Sequence, residues 1–155
     1  MRASFVPGRS PDPHAWGDLA LLIDTSAFAR AQHPKTRERW WQALSNDRLR
    51  IAPATQLEIL LSARNGKIFD ELAEELSTLR SAPLTATIAR AAQDAMRTLA
   101  HRSDGAQRIP IVDYLMAATA QETGSAVLHY DHDYDTLAEI MEFESVWLAP
   151  AGSMP

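Results

Sequence analysis

In AVLHYDHDYDTLAEI, residues 126 to 140, aspartates stand at every second position: Asp131, Asp133 and Asp135. Like charges this close repel, and the crowding brings no folding benefit, so the stretch asks for a cation. More acids stand at comparable places. Asp24 closes the apolar run LALLID, and Asp113 falls three residues after Pro110. Glu58 is the only acid in ATQLEILLSAR, flanked by Leu57, Leu60 and Leu61. Several carboxylates without a cysteine form a hard oxygen set, which selects Mg²⁺ or Mn²⁺; zinc would recruit histidine or thiolate. Two such ions roughly 3.5–4 Å apart can activate water and stabilise the leaving oxygen of a phosphodiester. Plainer roles exist for some of these acids. Asp24 suits the cap of a following helix, Asp113 in a first helical turn favours the dipole, and Asp135 reads as the N-cap of DTLAEIM. Glu58 and the Asp131–Asp133 pair have no evident folding use.

These acids can meet only if the elements carrying them share one end of a sheet. LALLID, 19 to 24, is a near-continuous apolar run, the mark of a strand buried on both faces. SAFARAQ starts a short helix with Thr25 or Ser26 as N-cap, and KTRERWWQALSND, 35 to 47, is a second helix. LRIA, 49 to 52, is a second strand; Pro53 opens the next helix, and Gly66 stands just past its end. KIFDELAEELSTLR sets Ile68, Leu72, Leu76 and Leu79 on one face. SAPL suits a very short strand, and TATIARAAQDAMRTLAHR is a long helix. IVDYLMAATAQET follows Ile109 and Pro110 and ends at Gly124. AVLHY, DTLAEIM and SVWLA read as strand, helix and strand. Strands alternating with helices predict a three-layer α/β/α domain with a parallel sheet of four or five strands. Such sheets bind ligands just beyond the carboxyl ends of their strands, where Asp24 and Asp131 stand.

The bulk numbers agree with one catalytic domain. The 155 residues suit a single unit with a sizeable core. Residues 1 to 18, with their prolines and glycines, read as a flexible leader, and 19 to 153 as the domain. There is no cysteine, so disulfides and thiolate sites are excluded. The apolar runs are too short to span a bilayer and the first residues lack a signal-peptide core, which points to the cytoplasm. A net charge of −5 argues against binding nucleic acid by charge alone. It leaves room for an acidic metal site with arginines elsewhere.

Taken together, LLIDTSAF, ATQLEILLSAR, IPIVDYLMAATA and AVLHYDHDYDTLA resemble a PIN-domain ribonuclease, and more narrowly the VapC toxins of bacterial toxin–antitoxin pairs. LAHR and the closing VWLAPAGS fit the same group, so the likeness runs over residues 19 to 153. The resemblance implies a Mg²⁺-dependent endoribonuclease, with Mn²⁺ as substitute. Its catalytic, metal-holding positions match Asp24, Glu58, Asp113 and Asp131, with Asp133 as an adjunct ligand. Its hydroxyl after the first aspartate matches Ser26, which would position a phosphate or a water. It further implies an RNA substrate, a VapB-type antitoxin, a homodimer and a bacterial cytoplasm. The helix carrying Trp40 and Trp41 would line the groove that receives the antitoxin. Tyr134 stands where the family more often has phenylalanine, and the leader is absent from most relatives.

Other residues leave two sides open. Neighbours on a helix point about 100° apart, so one of Trp40 and Trp41 faces inward and the other is free for a partner. Arg30, Arg37, Arg39, Arg64 and Lys67 lie toward the acidic end and could hold an RNA backbone, or be solvated surface. His132, between two candidate ligands, could touch RNA; His129, in a strand, suits a core hydrogen bond. Two non-catalytic readings compete: a receiver-type signalling module and an idle PIN-like scaffold that binds a protein partner. A receiver needs a lysine after the last strand, and neither Lys35 nor Lys67 is placed for it.

Overall fold

LALLI supplies β1 (Leu21–Ile23), the central strand of a five-stranded sheet in a computed structural model that describes residues 16–155. The other strands are β2 (Leu49–Ile51), β3 (Arg80–Ser81), β4 (Ala126–His129) and β5 (Glu144–Trp147). Their order is β3-β2-β1-β4-β5, and every pairing is parallel. Leu21 lies opposite Leu49 on one side and Ala126 on the other. The three residues of β1 are fully buried because both faces are covered.

The strand alternation sorts the core into layers. Leu21 and Ile23 pack with Ala27 of α1 (Thr25–Phe28) and with Trp40 and Ala43 of α2 (Arg37–Ser45). Leu22 and Val127 point the other way, toward α5 (Ala86–Arg102), α6 (Ile111–Thr123) and α7 (Asp133–Ala138). α3 (Pro53–Leu61) and α4 (Gly66–Ser77) bring Ile59 and Leu76 onto Ile51. This is the expected three-layer architecture, with the strand after Asp113's helix directly beside the strand that ends at Asp24. No described helix is long and apolar enough to cross a membrane.

Local punctuation departs from expectation in four places. Thr25 and Ser26 do not cap α1 but stand inside its first turn; the N-cap is Asp24, the plainer role its place suited, whose side chain accepts the Ser26 N–H. Gly66 is not a helix stop. α3 ends at Leu61, and Asn65 caps α4 by accepting the Ile68 N–H, which leaves Gly66 as the first helical residue. A side-chain oxygen offered to an orphan N–H outweighs the glycine signal. Asp135 does not cap α7, which begins two residues earlier at Asp133. Trp16, placed in the leader by its surroundings in sequence, is 6% exposed and donates its indole N–H to Leu148 O at 3.3 Å. Residues 1 to 15 of the leader lie outside the described residues. Gly124 does close α6 as expected, at φ 66, and the chain turns there directly into β4.

Candidate active site

β1 and β4 are neighbours running the same way, so their carboxyl ends deliver Asp24 and Asp131 to one place. The Asp24 N–H donates to Leu128 O at 2.9 Å, fixing that register. Asp24 is 4% exposed and rich in donors. Its Oδ2 accepts the Ser26 N–H at 3.0 Å and the Ser26 hydroxyl at 2.5 Å; its Oδ1 accepts the Tyr134 hydroxyl at 2.6 Å. The same Tyr134 hydroxyl lies 3.3 Å from Asp113 Oδ1. One buried phenol therefore touches the first aspartate and the helix aspartate together.

Asp113 sits in the first turn of α6, 6% exposed. Its Oδ2 is buried and accepts no hydrogen bond. Asp113, Asp131 and Asp133 offer oxygens all within 4.8 Å of one another. Burial, and then the charges of Asp24, Asp131 and Asp133, push the Asp113 carboxyl up to about 8. Asp133 is raised as well, by burial and by Asp131, with a hydrogen bond from Asp113 working against the shift. An ionised Asp113 has an oxygen with no partner. Octahedral Mg²⁺ holds ligands at about 2.0–2.1 Å, which separates opposite ligand atoms by roughly 4.2 Å. The trio's spacing, its all-oxygen chemistry and the orphaned Asp113 Oδ2 fit a divalent cation.

The remaining expected residues divide. Glu58 is half-buried and outside the tight trio; its Oε1 accepts the Thr25 hydroxyl at 2.5 Å, which ties it to the residue after Asp24. Ser26 is committed inside the protein, since besides donating to Asp24 its Oγ accepts the Tyr130 N–H at 2.9 Å. Trp40 is a core residue, edge-on to Phe28 at 6.4 Å, whereas Trp41 is 55% exposed. Of the two, only Trp41 can meet a partner. Arg30 reaches the site through its bond to Ser26 O at 2.9 Å. Lys67 pairs with Glu71 and Lys35 donates to Ser153 O, so neither lysine joins the acids as a receiver's would.

Two contributions escaped the sequence, and a third, His129, was expected as a core hydrogen bond without its tie to Asp131. Tyr134 reads as an aromatic exchange, yet its hydroxyl is the link between Asp24 and Asp113. Thr25 holds Glu58. His129 is a buried strand residue whose Nδ1 accepts the Asp131 N–H at 3.1 Å, so its proton is on Nε2, 2.6 Å from Ser145 Oγ. Burial lowers this imidazole to about 4, which keeps it neutral and able to accept. The signal for all three was positional: each is within three residues of an acid.

The family model described as PIN domain matches residues 21–140, most of the chain. The chain belongs to the PIN-domain family. Ribonuclease VapC18 of Mycobacterium tuberculosis (strain ATCC 25618 / H37Rv) is 38% identical over 138 residues, covering 88% of this chain and 100% of the relative. Ribonuclease VapC51 of the same strain is 35% identical over 136 residues, covering 88% and 98%. In solved structures the same PIN fold recurs in VapBC2 from Rickettsia felis bound to a DNA fragment from the promoter, with TM-score 0.66, 13% identity, and coverage of 82% of this chain and 97% of that one. DNA-bound VapBC from Salmonella typhimurium also gives TM-score 0.66, at 18% identity, with coverage of 85% and 100%. At such identities these two structures establish the fold.

Proposed function

We propose that this PIN domain is a Mg²⁺-dependent endoribonuclease toxin of the VapC kind, with Mn²⁺ as substitute cofactor, restrained by a VapB-type antitoxin. The observation that carries the reading is the convergence of Asp24, Asp113, Asp131 and Asp133 around one buried hydroxyl and one orphaned carboxylate oxygen. It gains weight from relatives named Ribonuclease VapC along 88% of the chain.

Asp113, Asp131 and Asp133 would hold the divalent cation, with Asp24 behind them. When bound, such an ion supplies the positive charge that activates water and stabilises phosphoryl oxygens in phosphodiester cleavage. The chain's own groups do the positioning. Asp24 is locked by Ser26 and Tyr134. Asp131 is locked by His129 through its N–H, and its Oδ1 accepts the Asp133 N–H at 2.9 Å. Glu58, half-buried and held by Thr25, would serve as the base that takes a proton from the attacking water. Ser26 acts through Asp24 rather than on a phosphate, since its hydroxyl is engaged on both sides. The products expected are a 5′-phosphate and a 3′-hydroxyl. Incubating the purified protein with cellular RNA, with Mg²⁺ or with EDTA, tests the reading. Cutting that persists undiminished in EDTA rules it out.

The antitoxin has exposed apolar surface to cover. Trp41 on α2 is one part. A second is the groove of Leu57, Leu61 and Phe69, with Leu57 68% and Leu61 85% exposed, which ends at Glu58. An apolar segment lying there could put a basic side chain among the acids and close the site. Co-expression with the small upstream gene product tests both surfaces: Trp41→Ala and Leu61→Ser are each expected to loosen the complex, and a complex indifferent to both refutes the assignment. A homodimer in the bacterial cytoplasm completes the reading, with Trp16, at the end of the expected leader, packed into the nuclease domain.

A further inference from the structure

We infer that Trp147, His132 and Tyr130 form a nucleobase-stacking surface beside the acids, which grips single-stranded RNA next to the bond that is cut. The inference rests on the ribonuclease reading and names how that site holds its substrate. β4 and β5 end together, with His129 opposite Trp147 in the register. The residues that follow β4 are Tyr130, Asp131, His132 and Asp133, so aromatic and acidic positions alternate there. The Trp147 ring lies 4.8 Å from His132, 5.0 Å from His129 and 5.5 Å from Tyr130, centroid to centroid. The guanidinium of Arg30 stands 4.6 Å over the Tyr130 ring.

Packing explains only part of this corner. His129 is fully buried and seals the strand end by itself. His132 contributes nothing to the core. Its side chain is 80% exposed, yet it is held edge-on against the indole, with Nδ1 3.4 Å from Asp135 Oδ2. The indole is fixed from below, its N–H donating to Asp135 Oδ1 at 3.1 Å. Asp135, free of any capping duty, thus anchors the indole and lies beside the imidazole. An indole already held loses little freedom when a ligand arrives, which favours binding.

The chemistry selects the ligand. Asp131, Asp133 and Asp135 make the corner acidic, so without a cation at the trio a bare phosphate is repelled there. A base is neutral and has a π-face, and proteins that read single-stranded RNA stack bases on tryptophan, tyrosine, histidine and arginine planes. Because His132 lies between Asp131 and Asp133 in the chain, a phosphate held at the acids would bring its adjoining base to these rings.

The test uses the Asp113→Asn protein, which does not cut under this reading, with Mg²⁺ present. Two fluorescent probes are titrated: a single-stranded RNA of about twelve nucleotides, within the range one protein groove covers, and the same length of abasic ribose-phosphate chain. The base-bearing probe is expected to bind roughly 10-fold tighter, the scale of one or two stacked bases. His132→Ala and Trp147→Leu, each added to that protein, are expected to erase the preference. His132 is exposed, so that variant leaves the fold intact even if Trp147→Leu weakens β5. Equal binding of both probes by the parent overturns the inference while the RNA reading survives. Binding of neither probe overturns the inference, while the RNA reading falls only with cleavage that ignores EDTA. A preference that persists in both variants, or variants that lose the antitoxin while keeping the RNA preference, also overturns the inference and in the latter case gives the surface to the protein partner.

Discussion

Asp24 and Asp113 are buried to almost the same degree and touch the same hydroxyl, yet their surroundings are opposite. Asp24 receives three donors and caps a helix. Asp113 receives one long hydrogen bond, keeps one oxygen without a partner, and is driven up to about 8 by burial and by three neighbouring carboxylates. A buried polar group without a partner costs free energy unless something supplies the missing contact. Asp24 therefore belongs to the fold as well as to the site, while Asp113 is bound to the fold only loosely and has to be explained by what the site holds. Substitutions at the two positions separate these roles.

The largest effect is on activity, where the two acids should agree. Asp24→Asn and Asp113→Asn are each expected to lower RNA cleavage by more than the roughly 10–100-fold typical of outer-shell metal partners. Cleavage within a few-fold of wild type in either variant breaks the shared catalytic role. Stability is where they should part. Asp24→Ala removes a helix cap, worth about 0.5–2 kcal/mol, and leaves the buried Tyr134 hydroxyl with Asp113 alone. At roughly 2–4 °C per kcal/mol for a chain of this size, its metal-free melting point should fall by several degrees. A melting point at or above wild type contradicts the structural half of the comparison.

Tyr134 is the contact the two acids share, and Tyr134→Phe sharpens the contrast between them. Hydrogen bonds to charged groups contribute about 1.5–3 kcal/mol, so the metal-free variant should melt lower by a few degrees. A merely structural hydroxyl would lower the melting point equally with and without Mg²⁺. A hydroxyl that offsets carboxylate repulsion matters most without the ion, so Mg²⁺ should narrow the gap. A gap of the same size in EDTA and in saturating Mg²⁺ removes Tyr134 from the site.

Much of this contrast was legible before any coordinates. The apolar run ending in Asp24 and the run before Asp131 had to be neighbouring buried strands, and strand ends are where such sheets bind ligands. That logic delivered the architecture and the meeting of the acids. It failed where a side chain serves two purposes. Asp24 suits a cap or a ligand by its place in the sequence; its side chain does cap α1, and it also accepts the Tyr134 hydroxyl that reaches Asp113. Asp135 carries the capping pattern, but its carboxylate turns to Trp147 and Ser145 on β5, a contact between segments that local spacing does not encode. Tyr134 differs from phenylalanine by one oxygen, and only the packing of α7 under β1 and α6 shows where that oxygen points. Gly66 was misread because Asn65 offers the stronger signal in the other direction.

The finest test of the comparison is the pH dependence of the metal-free fold. Asp113 rises from an ordinary 3.8 to about 8 on folding. Between those values the native state binds more protons than the unfolded chain, so stability falls as pH rises and the loss is complete above about 8. His129 has the opposite sign: lowered from 6.5 to about 4, it costs stability only as pH drops below 6.5. The window from about pH 7 to 9 therefore isolates Asp113, since His129 is neutral there in both states. Two charges 5–6 Å apart at an effective dielectric near 20 repel by about 3 kcal/mol, and protonation of Asp113 relieves part of this below pH 8. A net effect of roughly 1–2 kcal/mol is expected, or a few degrees in melting point. In EDTA the wild-type protein should lose those degrees across the window, while Asp113→Asn, which has no proton to lose, should stay nearly level and melt higher at pH 9. Mg²⁺ should raise the wild type by mass action and the variant much less. Had Asp113 only a dipole-favouring role in the first turn of α6, neutralising it would lower stability slightly at every pH in the window, and Mg²⁺ would treat both proteins alike. A variant that melts below wild type at pH 9, with no differential response to Mg²⁺, returns Asp113 to the fold beside Asp24 and erases the distinction between them.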